Sequence, residues 1–424
     1  MKKYYPRIVD KLLDKALESA GAVLIEGPKW SGKTWTAANK SKSILYMQDP
    51  DTRESNIQAA NVKPSLLLHG ETPRLIDEWQ VAPVLWDSVR HEVDLRGVEG
   101  QFILTGSVTP IIDEQVSHTG TGRISRIKMR PMSLFESNES TGEVSLIKIF
   151  EQNQFIGSIC NLEIEGVAKA IVRGGWPASV TSKPEVASKR AQDYVDSIVQ
   201  FDVSRVDGTE KNPNKMFALL RSLSRNISTE ANYSVIKKDM EGGESESISS
   251  PTIQSYLNVL QRLFVVEDLE AWNPSIRSAT PLRVSSKRQF VDPSIATAAL
   301  GINHERLLSD FNTFGYLFES LCIRDLRIYA EALGGKVFHY RDKSGLECDA
   351  VVVLRDGRWG AVEIKLGSNE FEKAAENLRK FSEIIDHKKM NKPSFLMILT
   401  GTKLGYERED GVLIEDKDKI RENL

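Results

Sequence analysis

Cysteine is scarce in this 424-residue chain, and its three copies, Cys160, Cys322 and Cys348, lie far apart. That spacing holds neither a zinc-ligand pattern nor a disulfide framework, and it suits a reducing cytosol. The six histidines are scattered, again without metal-ligand spacing. No apolar run is long enough to cross a bilayer, so no membrane association is expected. The opening MKKYYPRIVDKLLDKAL has lysines but no apolar h-region, so no secretory signal is expected. Its Leu12, Leu13, Ala16 and Leu17 fall instead on one face of an amphipathic helix. A surplus of one charge sign is also missing: the net charge is −3. This removes any global electrostatic pull toward nucleic acid but leaves room for a local basic face. An N-K-x-D guanine signature is absent, so GTP is not expected. What remains is ordinary for a globular protein, 40% hydrophobic and 27% charged. The length suggests about three domains.

The most specific stretch present is EGPKWSGKTW, preceded by the apolar Val23, Leu24 and Ile25. It fits the phosphate-loop pattern G-x-x-x-x-G-K-[ST] through Gly27, Pro28, Lys29, Trp30, Ser31, Gly32, Lys33 and Thr34. Backbone N–H groups in such a loop converge on a triphosphate, and the glycines allow the tight turn and close approach. Lys33 is placed to reach the β- and γ-phosphates, and the Thr34 hydroxyl to ligate Mg²⁺. A helix beginning near Gly32 points its positive end at the phosphates. Further on, PRLIDEWQ closes a short apolar run with Asp77 and Glu78. Asp77 is expected to hold Mg²⁺ through water, and Glu78 to orient the attacking water. A third strand, QFILTGS, offers Thr105 or Ser107 to the γ-phosphate or the water, though a plain strand exit at Gly106 reads equally well. Arg123, Arg126 and Arg130 follow, from which an arginine finger in cis or from a neighbour could come; Arg123 is the candidate nucleotide contact, and a solvated basic loop is the alternative. A kinase would need an acceptor pocket and an Arg-rich lid, which MRPMSLFE does not resemble.

The series IEGPKWSGKT, RLIDEWQ, FILTGS, TGR and MRPMSLFE resembles a family of prokaryotic AAA+-type P-loop ATPases fused to a C-terminal domain of unknown function. The likeness runs through nearly the whole chain. It includes Gly174, Gly175, Trp176 and Pro177, and then Y-x-x-x-I-x-x-x-D-[IV], which here spans Tyr194, Ile198, Asp202 and Val203. Gly174 to Pro177 read as packing and turn residues. The resemblance implies ATP and Mg²⁺ as cofactors; such modules often work as homo-oligomers, although no interface signal is visible here.

Residues 1–135 are expected to form the P-loop domain, and from about residue 20 they alternate strand-like and helix-like runs, as a parallel nucleotide-binding sheet requires, with strand candidates at 23–26, 44–47, 74–76 and 102–105. Residues 136–305 read as mostly helical, with one long amphipathic helix in SKRAQDYVDSIVQFDVSRVDG and a flexible Gly-Ser loop at 242–250. Ser250 is expected to cap a helix with Pro251 in its first turn. Ile253, Leu257, Leu260, Leu263 and Phe264 recur on one face, and Val265 and Val266 begin a short strand, a pattern that fits a winged helix. Its second helix carries Gln254, Asn258 and Gln261 but few Lys or Arg, which favours a structural role over sequence reading.

Residues 306–424 read as a second α/β unit: an amphipathic helix in FGYLFESLCIRDLRIYAEAL, strands at 336–340, 347–354 and 359–364, a helix at 369–385 and a buried strand at 395–399. Glu363 and Lys365 share a strand face because the side-chain period is two; Asp349 lies on the next strand and Glu319 on the helix. This looks like the restriction-endonuclease-like superfamily, D-x(n)-[DE]-x-K. By that resemblance Asp349 and Glu363 would ligate Mg²⁺ or Mn²⁺, Lys365 would orient or stabilise the attacking group, and Glu319 would be the extra helix acid. A domain used only for docking, with an acid–lysine ion pair, is the alternative.

The expected fold class is α/β: a P-loop parallel sheet, a helical, winged-helix-like middle and a restriction-endonuclease-like C-terminal domain. Three functions are open: a cytoplasmic ATPase acting on double-stranded DNA, with nuclease activity of its own; a nucleotide-gated switch for a protein partner; and an ATP-binding scaffold, against which Glu78 argues.

Overall fold

The computed structural model describes residues 4–109, 120–151, 157–159, 162–206, 211–242, 248–274, 285–385, 390–416 and 420–421. Cys160 and residues 243–247 of the Gly-Ser loop lie outside them. The chain divides into two compact units. One comprises Met1–Pro131, Asp202–Glu210 and Val259–Phe264; the other comprises Met132–Phe201, Lys211–Asn258 and Val265–Leu424.

In the first unit, α1 (Val9–Ser19) leads to β1 (Ala22–Glu26), α2 (Lys33–Lys40), β2 (Ser43–Tyr46), α3 (Arg53–Val62), β3 (Arg74–Asp77), α4 (Val84–Arg96), β4 (Phe102–Gly106) and β5 (Ile124–Lys128). The sheet order is β2-β3-β4-β1-β5, and every pair is parallel. Alternation along each strand splits the core in two. Ala22, Leu24, Ile76, Phe102 and Leu104 pack with Trp86, Val89 and Val93 of α4 on one face. Val23, Ile25, Leu75 and Ile103 pack with Val9, Leu13 and Ala16 of α1 on the other. Interior strands read as continuous apolar runs, as β1, β3 and β4 do, and the edge strand β2 shows through its apolar Ile44 and Leu45. The fifth does not show. In ISRIK only Ile124 and Ile127 are buried, so this edge strand resembled a basic loop.

The second unit carries a mixed sheet in the order β7-β12-β13-β11-β10-β9-β8. Its strands are β7 (Ser158–Ile159), β8 (Lys336–Arg341), β9 (Glu347–Val353), β10 (Trp359–Lys365), β11 (Phe395–Thr400), β12 (Leu404–Glu407) and β13 (Leu413–Asp416). A small parallel pair joins β6 (Val144–Ser145) to β14 (Ile420–Arg421). β8, β9 and β10 run antiparallel, and β10, β11 and β13 run parallel. Trp272, Trp359, Phe371, Leu378 and Phe381 fill the core against one sheet face.

Three local expectations are corrected. The helix Phe311–Ala332 is not amphipathic: every residue from Leu317 to Ala330 is buried, charged ones included. The expected single long helix after residue 183 changes winding, with α-helix Pro184–Ser197 passing into a π-turn at Ile198–Asp202. The cap of helix Ser250–Arg262 comes from Ser249, whose hydroxyl accepts the Thr252 N–H at 3.2 Å. No helix among the described residues is long and apolar enough to cross a membrane.

Candidate functional site

The phosphate loop leaves β1 and enters α2. Gly27 has φ 156°, and a Cβ there would stand 2.0 Å from the Met129 carbonyl, so only glycine fits. Gly32, at φ 101°, caps α2 in the left-handed region. Lys33 is buried and donates to the Pro28 carbonyl at 2.8 Å; the Ser31 hydroxyl donates to the same oxygen at 2.9 Å. Burial lowers the Lys33 pKa to about 8, against the pull of Glu78 and Asp77. Trp30 is half exposed.

The strand order inserts β4 between the loop strand β1 and the acid strand β3, so their carboxyl ends converge. One Asp77 oxygen accepts both the Thr34 hydroxyl at 2.8 Å and the Thr105 hydroxyl at 2.7 Å. Thr105 in turn accepts the Glu78 N–H at 3.0 Å. The Glu78 carboxylate accepts Ser107 Oγ at 2.9 Å and also the Gln80 amide. Thr105 and Ser107 of QFILTGS are therefore both engaged with the acid pair. Two non-glycine residues in the left-handed region, Trp30 (φ 66°) and Glu78 (φ 56°), sit in this site. Such strain costs of order 1–3 kcal/mol each and is retained where the backbone aims a working group.

Arg123 is a correction. It precedes β5, at the amino ends of the strands and away from the carboxyl end where the phosphate loop leaves β1, and pairs with Asp94 at 2.8 Å. Parallel strands put their amino ends together, so Arg123 does not reach nucleotide on its own chain. Arg126 pairs with Glu26 at 3.4 Å and stacks 5.0 Å from the Trp86 ring. Arg130, buried after β5, lends its carbonyl to Arg7, which also donates to the Ser31 carbonyl at 2.8 Å. Asp202 was not singled out as a site residue, although it fills the last acid of the family-like motif. It closes the π-turn and pairs with Lys29 of the loop at 2.5 Å.

The second site is the expected quartet. Glu319 comes from helix Phe311–Ala332, Asp349 from β9, and Glu363 and Lys365 from β10. Lys365 Nζ lies 3.0 Å from Asp349 and 2.7 Å from Glu363. Asn377 donates to Glu363 at 2.7 Å, and the Ile364 N–H to Asp349 at 2.9 Å. A fifth residue, absent from the sequence reading, completes the cluster. Lys287 Nζ stands 2.8 Å from Glu319 and 3.3 Å from Asp349, its side chain 7% exposed. Nothing local in SSKRQF announces it. Among the described residues, no group of three or more His, Cys, Asp or Glu side chains is arranged to hold a metal ion.

Burial pushes Glu319 up to about 7, against the Lys287 charge. Burial and the Asp349 charge push Glu363 up to about 8, against Lys365. Burial opposes ionised Asp349, yet Lys287, Lys365 and the Ile364 N–H hold it well below the carboxylate range. Burial likewise opposes the charges on both lysines, but the carboxylates raise their pKa values above the ordinary one.

His339 on β8 borders this cluster, its Nε2 3.1 Å from the Ser285 carbonyl. Burial and the Lys287 charge lower its pKa from 6.5 to about 4. A depressed folded-state value confers stability that is full above 6.5 and lost as pH falls toward 4. By pH 5 the loss is about 2 kcal/mol. Urea unfolding at pH 7, 6 and 5 is expected to show the wild type losing stability relative to His339→Asn as pH falls, because Glu319 and Glu363 gain stability over the same range in both proteins; a difference that does not change with pH would refute the assignment.

Residues 19–138 match the family described as AAA domain. Residues 164–306 and 314–415 match two domains of unknown function, DUF8612 and DUF4143. Uncharacterized proteins of Mycobacterium bovis and Mycobacterium tuberculosis are each 23% identical over 357 residues, covering 83% of this chain and 72% of theirs. A Walker-type ATPase of Pyrococcus abyssi superposes with a TM-score of 0.45 at 15% identity, over 70% of this chain and 96% of that one. The AAA match and the loop–acid geometry agree on a nucleotide-binding ATPase domain of AAA type.

Proposed function

We propose that the chain hydrolyses ATP at the first site and passes the nucleotide state to a partner bound elsewhere on the protein. The observation that carries this is the meeting of the Thr34 and Thr105 hydroxyls on one Asp77 oxygen beside the phosphate loop. That donor set, a hydroxyl and a carboxylate, fits the hard-oxygen preference of Mg²⁺, which Thr34 and Asp77 would hold. When bound, Mg²⁺ neutralises charge on the β- and γ-phosphates. Lys33 reaches the same oxygens. Glu78, held by Ser107 and by its own N–H on Thr105, orients the attacking water.

The proposed division is a P-loop domain (1–135), a helical middle with a winged-helix-like module (136–305) and a restriction-endonuclease-like domain (306–424). Support for the wing comes from helices Tyr233–Glu241 and Ser250–Arg262, followed by the antiparallel bridges Val266↔Phe290 and Leu269↔Lys287. Support for the nuclease-like domain comes from Asp349 and the Glu363–Lys365 pair on adjacent strands. The cytoplasm is the proposed location, in keeping with Cys322 and Cys348 as buried thiols. A homo-oligomer remains the proposed working form, from the AAA likeness.

Two readings of the partner compete. Gln254, Asn258 and Gln261 form an exposed amide stripe on helix Ser250–Arg262, which favours DNA. Lys287 seated between Glu319 and Asp349 favours a nuclease-like domain without turnover, hence a nucleotide-gated switch for a protein partner. We adopt the second. The test is ATP turnover by the purified chain with and without double-stranded DNA, with Lys33→Ala as the blank. Turnover indifferent to DNA is expected; strong stimulation would make DNA the working partner.

A further inference from the structure

Lys287 is held at its backbone before its side chain does anything. Its N–H donates to the Leu269 carbonyl, and its carbonyl accepts the Leu269 N–H, each at 2.9 Å. The side chain then runs inward, and its ammonium sits between Glu319 Oε1 and Asp349 Oδ1. These oxygens belong to the helix acid and the strand acid that would share a divalent cation. The other Asp349 oxygen accepts Lys365 Nζ and the Ile364 N–H. One Glu363 oxygen accepts Asn377 and the other pairs with Lys365. Both oxygens of Asp349 and of Glu363 therefore already bear protein donors. Magnesium demands near-octahedral oxygen ligation at about 2.0–2.1 Å and sheds water reluctantly. A buried ammonium beside that position repels it as well. The residues present do not fit a divalent metal.

We propose that Lys287 is the resident cation of this cluster: its ammonium replaces the metal that the arrangement of Glu319, Asp349, Glu363 and Lys365 would otherwise take, and its presence closes the site to divalent ions. The acids of the cluster and its two ammoniums offset one another inside the domain, where any one charge alone would be costly. Substituting Lys287 by a neutral residue opens the place between Glu319 and Asp349. The inference rests on reading this domain as nuclease-like and without turnover, and the two fail differently.

The experiment is Mn²⁺ titration of the nucleotide-free full chain, read by the electron paramagnetic resonance of free Mn²⁺. Wild type is expected to show no site that depends on Asp349 up to about 1 mM Mn²⁺. Lys287→Met is expected to gain one site, at least about tenfold tighter than anything in wild type, because a buried like charge is gone. Lys287→Met/Asp349→Asn should lose that site. Lys287→Gln, which keeps a hydrogen-bonding group, serves if the methionine variant does not fold. An Asp349-dependent Mn²⁺ site in the wild type overturns the inference, and that arm needs no Lys287 variant. A folded Lys287 variant without a new site overturns it too. Metal-dependent DNA cleavage by the wild type, lost in Asp349→Ala, would overturn the silent-domain reading. Absence of both cleavage and a gained site would sink this inference alone.

Discussion

Replacing Lys33 by alanine is expected to remove ATP turnover while the chain stays folded. Lys33 is buried at the start of α2, and its Nζ rests on the Pro28 carbonyl at 2.8 Å. That bond closes the loop on itself. A triphosphate offers the same ammonium far stronger partners, so the side chain is pre-placed for charge that arrives with the ligand and develops further in the transition state. Loss of one preorganised charge-stabilising group costs about 10²–10³-fold in turnover, and more where it also fixes the phosphates. Stability should barely change, because the fold loses one hydrogen bond of about 1 kcal/mol. Phosphate release and thermal unfolding, measured on the same preparation, check both halves. Undiminished turnover would remove the loop from the mechanism.

The second large effect is on stability. Asp292→Ala is expected to destabilise the second unit by about 3–5 kcal/mol, the usual cost of breaking one side of a buried charge pair. Asp292 is fully buried. One oxygen accepts Arg324 Nη1 at 2.8 Å and the Gly175 N–H at 3.0 Å; the other accepts the Ser294 N–H at 2.9 Å. Arg324 is itself buried, and its remaining ion-pair partner is Asp325, which holds the Leu134 N–H at 3.0 Å. Alanine would leave the guanidinium half-neutralised and two backbone N–H groups without their acceptor. Urea unfolding followed by tryptophan fluorescence measures the loss, with Asp292→Asn as the milder control. A loss below about 1 kcal/mol would show that water repairs the network. This network ties MRPMSLFE, GGWP and DPS together, which gives those family-like stretches a structural task. Gly174 to Pro177 act as expected: Gly174 ends helix Ile164–Arg173, and Trp176 Nε1 donates to Ser294 at 2.9 Å.

The two sites were legible to different degrees. The phosphate loop is contiguous, and its function lies in backbone groups whose conformation glycine and sequence spacing specify directly. Asp77 and Glu78 close an apolar strand, so their place at a sheet end followed from periodicity. Glu363 and Lys365 share a face by the period of two, and Lys365 does touch both acids. β13 escaped because GVLIED is short, and only pairing with β11 shows it to be an interior strand. In helix Phe311–Ala332 the charges mark no solvated face, since Arg324 and Asp325 are buried with partners that lie far off in the sequence or beside them.

By itself, then, the sequence determined the nucleotide chemistry and the strands that carry it, since local spacing and alternation translate into backbone geometry without reference to distant residues. Only the tertiary structure decided the rest. It placed Arg123 at the amino ends of the strands, paired Asp202 with Lys29 across 173 positions, and brought Lys287 against Glu319 and Asp349 from 32 and 62 positions away. A buried charge is defined by what surrounds it. Those surroundings come from segments whose separation in sequence carries no record of their contact.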